Sequence, residues 1–286
     1  FFSIMKTNLS GFVAGLAFLL MVNHHAEARL KIPQASSSQT IVQSFGVSNI
    51  TLKYNRPNVN NRKVFGGMEP YDKVWRTGAN KIPTIEFERE VEVSGHKLAA
   101  GKYGILTIPG QKSWTVIFSK DSDQWGSYTY KQEDDVLRFT LVPQKLAQVV
   151  ETFTINFTDV QTQSAKMNMS WENTMISFNL NVNEDAEIME SIAEAMKGDD
   201  KPYLPAAQYY YKNGKDIKQA LDWVSLAEKE NDKAPYIKYW KALMQIKAGD
   251  KKQALVTAQR GLDLAKEQKN DEYIKLTNQV IALAKK

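Results

Sequence analysis

The sequence contains no cysteine. That one absence excludes disulfides, thiolate metal ligands, iron–sulfur clusters, cysteine nucleophiles and a lipid-modified cysteine. Histidine is scarce as well. Of the three present, His24 and His25 sit beside an apolar leader, and only His96 lies in the body of the chain. A multi-histidine metal site therefore has no residues to draw on. A Ser-His-Asp triad would depend on His96, which follows Ser94-Gly95 in a turn and reads as a solvated residue. No Gly-x-Ser-x-Gly elbow, phosphate loop or dinucleotide fingerprint occurs, and Gly66-Gly67 is too short to cradle a phosphate. No arginine-rich run or basic stripe interleaved with aromatics points to nucleic acid. The residues call for no cofactor and no metal.

Long apolar runs are missing too, with one exception. Gly11 to Val22, GFVAGLAFLLMV, is shorter than the roughly 20 residues a membrane-spanning helix needs. It follows Lys6, and Ala26-Glu27-Ala28 supplies the small-x-small pattern that signal peptidase reads. Residues 1–28 are expected to be a signal peptide, with Met5 as the start and residues 1–4 as upstream read-through. Cleavage near Arg29 would leave an exported protein, periplasmic or secreted, with no transmembrane segment.

What is present is ordinary for a folded protein. In 286 residues, 43% are hydrophobic and 24% charged, with 12 Tyr, 12 Phe and 6 Trp, enough to build a sizeable core. The net charge of +5 is uneven. Residues 197–286 hold 18 Lys and Arg against 12 Asp and Glu, whereas residues 29–196 hold 18 against 19. The basic excess belongs to the C-terminal third and reads first as a solvated helical surface.

From about Thr40 to Val182, short stretches alternate apolar and polar residues between turn signals, as in Ile50–Tyr54, Tyr103–Ile108, Trp114–Phe118 and Val136–Val142. Alternation continues at Phe153, Ile155 and Phe157, at Met167, Met169 and Trp171, and at Ile176, Phe178 and Leu180. Roughly nine strands with no helical period between them predict an antiparallel β-sandwich over residues 29–183, with a closed barrel as the alternative.

After Asn183 the rhythm becomes helical, and residues 184–286 are expected to form a linker and a repeat. Asp216-Ile217-Lys218-Gln219-Ala220-Leu221 returns as Asp250-Lys251-Lys252-Gln253-Ala254-Leu255, an offset of 34 residues. That period is tetratricopeptide-like. Gly214 and Gly249 would mark the turns within helix pairs, Ala220 and Ala254 the close approaches, and Asp271–Lys285 a capping helix. Such a tail either engages a protein or peptide partner or serves as a plain structural appendage.

Three stretches in the first region are distinctive. They are Tyr54-Asn55-Arg56-Pro57 with Asn61-Arg62-Lys63-Val64-Phe65-Gly66; Pro70 to Asn80, PYDKVWRTGAN; and Leu98 to Tyr103, LAAGKY, followed by Gln124-Trp125-Gly126-Ser127-Tyr128. On these, residues 32–182 resemble the exported bacterial family catalogued as domain of unknown function 2911. The resemblance implies no catalytic residue. The residues themselves offer a set of ligand-binding candidates in loops and at strand ends: Arg56, Arg62, Arg76, Asn80, Trp125 and Tyr130. Arginines so placed either staple loops or face an anionic ligand, and aromatics there either fill the core or line a groove for a sugar or peptide. Carboxylates such as Glu69, Asp72 and Asp135 keep a hydrolase acting on envelope carbohydrate or peptide in view. The residues favour a non-catalytic binding module, with a small envelope ligand on the β domain, over that enzyme.

Overall fold

A computed structural model describes residues 32–286. The expected signal peptide lies outside the described residues. Among them are ten strands and six α-helices, every strand preceding every α-helix. A six-stranded sheet runs in the order β1 (Ser37–Phe45), β2 (Ser48–Arg56), β3 (Thr84–Phe87), β6 (Gly101–Ile108), β7 (Trp114–Ser119), β8 (Asp135–Leu141). A four-stranded sheet runs β5 (His96–Leu98), β4 (Val91–Val93), β10 (Ser164–Asn181), β9 (Gln144–Thr158). All pairings are antiparallel. The two sheets share one core and do not close into a barrel, so the region is a sandwich.

The strand count exceeds the nine expected, and the reasons are local. Edge strand β1 is mostly Ser, Gln and Thr, so its alternation is faint. Strand β5 has three residues and returns from the Ser94-Gly95 turn, where both residues take positive φ, as two-residue hairpin turns require. His96 opens β5 and pairs with Val93. In the other direction, two expected strands are one. Within β10 the buried apolar residues are odd-numbered through Met167, Met169 and Trp171, then even-numbered at Ile176, Phe178 and Leu180. The pairing register with β9 shifts around Glu172, whose φ is 51°. A bulge there inverts which face each residue meets.

The core is aromatic. Trp75 stacks on Trp171 at 5.7 Å and meets Phe65, Trp114 and Phe153 edge-on. A second group surrounds Phe118, which contacts Phe87, Tyr103, Phe139 and Phe178.

The helices follow as α1 (Asp185–Ala195), α2 (Tyr203–Lys212), α3 (Ile217–Glu230), α4 (Pro235–Lys247), α5 (Lys251–Glu267) and α6 (Asp271–Ala284). Each of α2 to α6 packs on its neighbour in sequence. The 34-residue echo falls at equivalent places. Asp216 and Asp250 cap α3 and α5 by accepting from the backbone N–H groups of Lys218 and Gln253 at 2.8 and 2.9 Å. Ala220 and Ala254 are fully buried, and Gly214 and Gly249 follow α2 and α4 with φ of 67° and 90°. Alanine dominates both buried clusters of the tail. Leu283 of α6 is half exposed.

Carboxylates at the start of the helical region join it to the sandwich. Glu184, just ahead of α1, accepts from the backbone N–H of Val47 in the β1–β2 turn at 2.8 Å. Its neighbour Asp185 accepts from Tyr209 Oη of α2 at 2.8 Å and from Lys215 Nζ at 2.6 Å. Burial and the Asp185 carboxylate together push the Tyr209 hydroxyl up to about 12. Helix α1 has no buried residue of its own and is held by this junction and by an Arg89–Glu187 ion pair.

Candidate functional site

The segment between β2 and β3 crosses the end of the sandwich and is anchored along its length by backbone hydrogen bonds, two of which frame the site. Trp75 exchanges both backbone hydrogen bonds with Thr107 of β6, at 2.7 and 3.1 Å. Further on, Asn80 O accepts from Gly126 N at 3.0 Å. Between these anchors the chain makes a turn that few residues tolerate. Thr77 has φ of 58°, unusual for a β-branched residue, and is fully buried with its hydroxyl 3.0 Å from that of Thr107. Gly78 has φ of 137°, and a Cβ there would lie 2.8 Å from Asn55 O, so only glycine fits. Asn80 takes φ of 60°. Asn60 and Asn61 form a second left-handed pair, at 48° and 58°. Backbone held in sparsely populated conformations costs on the order of 1–3 kcal/mol per residue and gathers at ligand sites.

These two strained turns enclose a cavity of about 330 Å³. Its lining includes Arg62, Glu69, Arg76, Gly78 and Asn80, with Trp171 of β10. Ala35 and Ser36, the residues leading into β1, complete one wall. The stacked Trp75–Trp171 pair makes the floor rigid, because Trp171 is buried and its indole N–H donates to Glu151 O at 3.2 Å.

The polar groups of this cleft are differently committed. Arg62 donates through Nε to Val59 O at 2.9 Å and through Nη2 to Asn58 O at 2.7 Å, so it staples its own turn and keeps Nη1. Arg76 makes no hydrogen bond or ion pair among the described residues; its Cζ lies 5.8 Å from the ring centre of Tyr128. The Asn80 amide and the Glu69 carboxyl likewise have no side-chain hydrogen bond there. Burial pushes the Glu69 carboxyl up to about 7, against the opposing pull of Arg76, the Trp75 indole N–H and Arg62. That indole N–H favours the charged carboxylate by proximity but meets no acceptor in hydrogen-bond geometry. A free guanidinium, a free amide and a carboxyl able to change charge near neutrality thus converge on one concave surface, the arrangement of a small-molecule site.

Three of the six candidates from the sequence, Arg62, Arg76 and Asn80, line this cleft together. The other three lie outside its lining. Arg56 donates to Phe153 O at 3.1 Å and Thr154 Oγ1 at 2.9 Å, fastening β2 to β9. Tyr130 donates to Asp135 Oδ2 at 2.9 Å and accepts from Arg138 at 2.8 Å. Trp125 is 60% exposed in the β7–β8 loop, its backbone bridged to Lys81. Glu69 appeared in the sequence only as one carboxylate among several, and nothing local to it signals burial. Among the described residues no group of three or more His, Asp or Glu is placed to hold a metal ion, and no helix is long and apolar enough to cross a membrane.

A family profile matches residues 36–180, half of the chain and all of the strands but their outermost residue at the C-terminal end. The chain belongs to the DUF2911 family. That family is described as a protein of unknown function, so membership fixes kinship and assigns no activity. Both strained turns and every lining residue from Pro57 to Trp171 fall within the DUF2911 span, whereas the helices lie beyond it. No curated protein and no solved structure matches the chain.

Proposed function

We propose that the protein is exported to the periplasm and acts as a non-catalytic binding module, its sandwich holding a small polar ligand in the Arg76 cleft. The observation that carries this reading is the Arg76 guanidinium, without a hydrogen bond or ion pair among the described residues, lining the same preformed cavity as the Glu69 carboxyl, which no cation contacts there. In a structural cluster these groups would bond to one another; in a binding site they await a ligand. A thermal-shift screen against envelope sugars and peptides tests it. The expected result is a ligand that raises the melting temperature of the native protein but not of Arg76→Ala. Stabilisation that survives Arg76→Ala and Asn80→Ala would place binding elsewhere. Cleavage after Ala28, read by N-terminal sequencing of the exported form, tests the address.

The tail is proposed to engage a protein or peptide partner as a tetratricopeptide-like array. The matching caps and buried alanines of the 34-residue echo support it. Deleting residues from Lys201 onward should abolish partner capture while leaving ligand binding by the sandwich intact.

A second reading, a carboxylate-dependent hydrolase, draws on Glu69, since a carboxyl titrating at about 7 suits general acid–base work. It is the weaker one. Glycoside hydrolysis ordinarily uses two carboxyls across the scissile bond, and Glu69 is the one carboxyl in the lining of this cavity. Of the other carboxylates, Asp135 is occupied by Tyr130 and by Arg138 at 3.1 Å. Turnover of an envelope glycan, lost in Glu69→Gln with the fold intact, would reverse the ranking.

A further inference from the structure

Resting on the cleft reading above, we propose that the ligand is a small carboxylate-bearing sugar, a uronate, with its carboxylate on the Arg76 fork and its hydroxyls on Asn80 and Glu69. The charge of the lining comes first. Two guanidiniums face one carboxyl, so the cleft carries a surplus positive charge that a monoanion neutralises. Arg62 has spent two of its nitrogens on carbonyls. Arg76 retains its whole fork, whose planar pair of N–H groups matches the two oxygens of a carboxylate.

A phosphate fits less well. None of the lining residues belongs to a helix, so no helix N-terminus faces the cavity. A dianion would also press against Glu69. Neutral polar groups of the ligand are provided for: the Asn80 amide offers a donor and an acceptor, and an ionised Glu69 accepts from hydroxyls.

The size of the cavity and the aromatic neighbour of Arg76 favour a sugar over a simple organic acid. A volume of about 330 Å³ lies at the small end of ligand sites, which run from roughly 300 to 1,000 Å³. Outside that lining, the Tyr128 ring is 80% exposed, and the Cζ of Arg76 lies 5.8 Å from its centre. It presents an apolar flat surface next to the charge, suited to the C–H face of a pyranose whose carboxylate reaches the guanidinium.

Isothermal titration calorimetry of the purified protein with glucuronate, galacturonate, glucose, galactose and inorganic phosphate tests this. One of the two uronates should bind with a stoichiometry near one and at least tenfold more tightly than its neutral counterpart or phosphate. Arg76→Gln should weaken it at least tenfold with an unchanged melting temperature, and Tyr128→Ala severalfold. If neither uronate binds, or if glucose, galactose or phosphate binds as well, the uronate assignment is overturned. The cleft reading survives that result when some other ligand binds and is lost in Arg76→Gln and Asn80→Ala. Uronate binding that is indifferent to both substitutions overturns the two together.

Discussion

Glu69 in the sandwich and Glu228 in the tail are both partly withdrawn from water, and they titrate in opposite directions. Burial drives Glu69 up to about 7, because Arg76 and Arg62 act on it only at a distance. Burial pushes Glu228 the same way, but Lys238 Nζ and Lys241 Nζ reach its two oxygens at 2.6 and 2.5 Å and hold it below the ordinary carboxylate range. The difference lies in whether the protein supplies the partner. The tail completes its buried charge internally, and that carboxylate is structural. The sandwich leaves its carboxyl incomplete at the edge of a cavity, where a ligand can complete it. The cores differ in parallel: rings from strands far apart in sequence in one, alanines from adjacent helices in the other.

The largest test of this contrast removes a ring. Phe118→Ala should cost about 3–5 kcal/mol, since the side chain is fully buried among four aromatic neighbours. Urea denaturation followed by tryptophan fluorescence measures it, and a cost under about 1 kcal/mol would mean that the core closes over the gap. Next, Glu228→Ala strips the counter-charge from Lys238, whose side chain is only 8% exposed. A loss of about 2 kcal/mol is expected in the helical melt by circular dichroism, less than for a fully buried pair because Glu228 keeps some solvent contact. Adding Lys238→Met should restore part of it; no recovery would show that the charge was not the cause.

The third test uses pH. A folded-state value of about 7 against an ordinary 4.5 means that the folded protein holds the Glu69 proton more tightly than the unfolded chain does. That contribution is fully present below about 4.5 and is lost as pH rises to about 7. Glu69→Gln should remove this decline, worth about 1 kcal/mol once solvent screening is allowed for, in urea midpoints compared at pH 5 and pH 8. Glu228 has the opposite sign: its contribution is present above about 4.5 and is lost as pH falls through its lowered value. Parallel pH profiles for the native protein and the Glu69→Gln variant would break the comparison. The smallest test truncates the matching caps. Asp216→Ala and Asp250→Ala should each cost about 1 kcal/mol, equally if the two helix pairs are equivalent units.

Much of this architecture could be read from the sequence, for physical reasons that also mark where the reading fails. Two-residue alternation located the strands whose inward residues are large, and it broke at Glu172, where the bulge exchanges the faces of β10. The polar edge strand β1 gave no such signal. The tail was legible because its contacts are local, so a 34-residue echo is also a structural one. The cleft was half legible. Arginine and asparagine near proline and glycine flagged Arg62, Arg76 and Asn80, but the same pattern flagged Arg56, which turns to the other sheet. Nothing in the sequence places Glu69 beside Trp171, about a hundred residues away, and that juxtaposition gives the cavity its chemistry.

The wall formed by Ala35 and Ser36 has a practical corollary for anyone expressing this protein. A purification tag fused ahead of these residues would emerge at the mouth of the cleft and compete for the space a ligand needs. An affinity handle belongs instead on the helical side of the chain, since no residue of α1 to α6 lines the cleft.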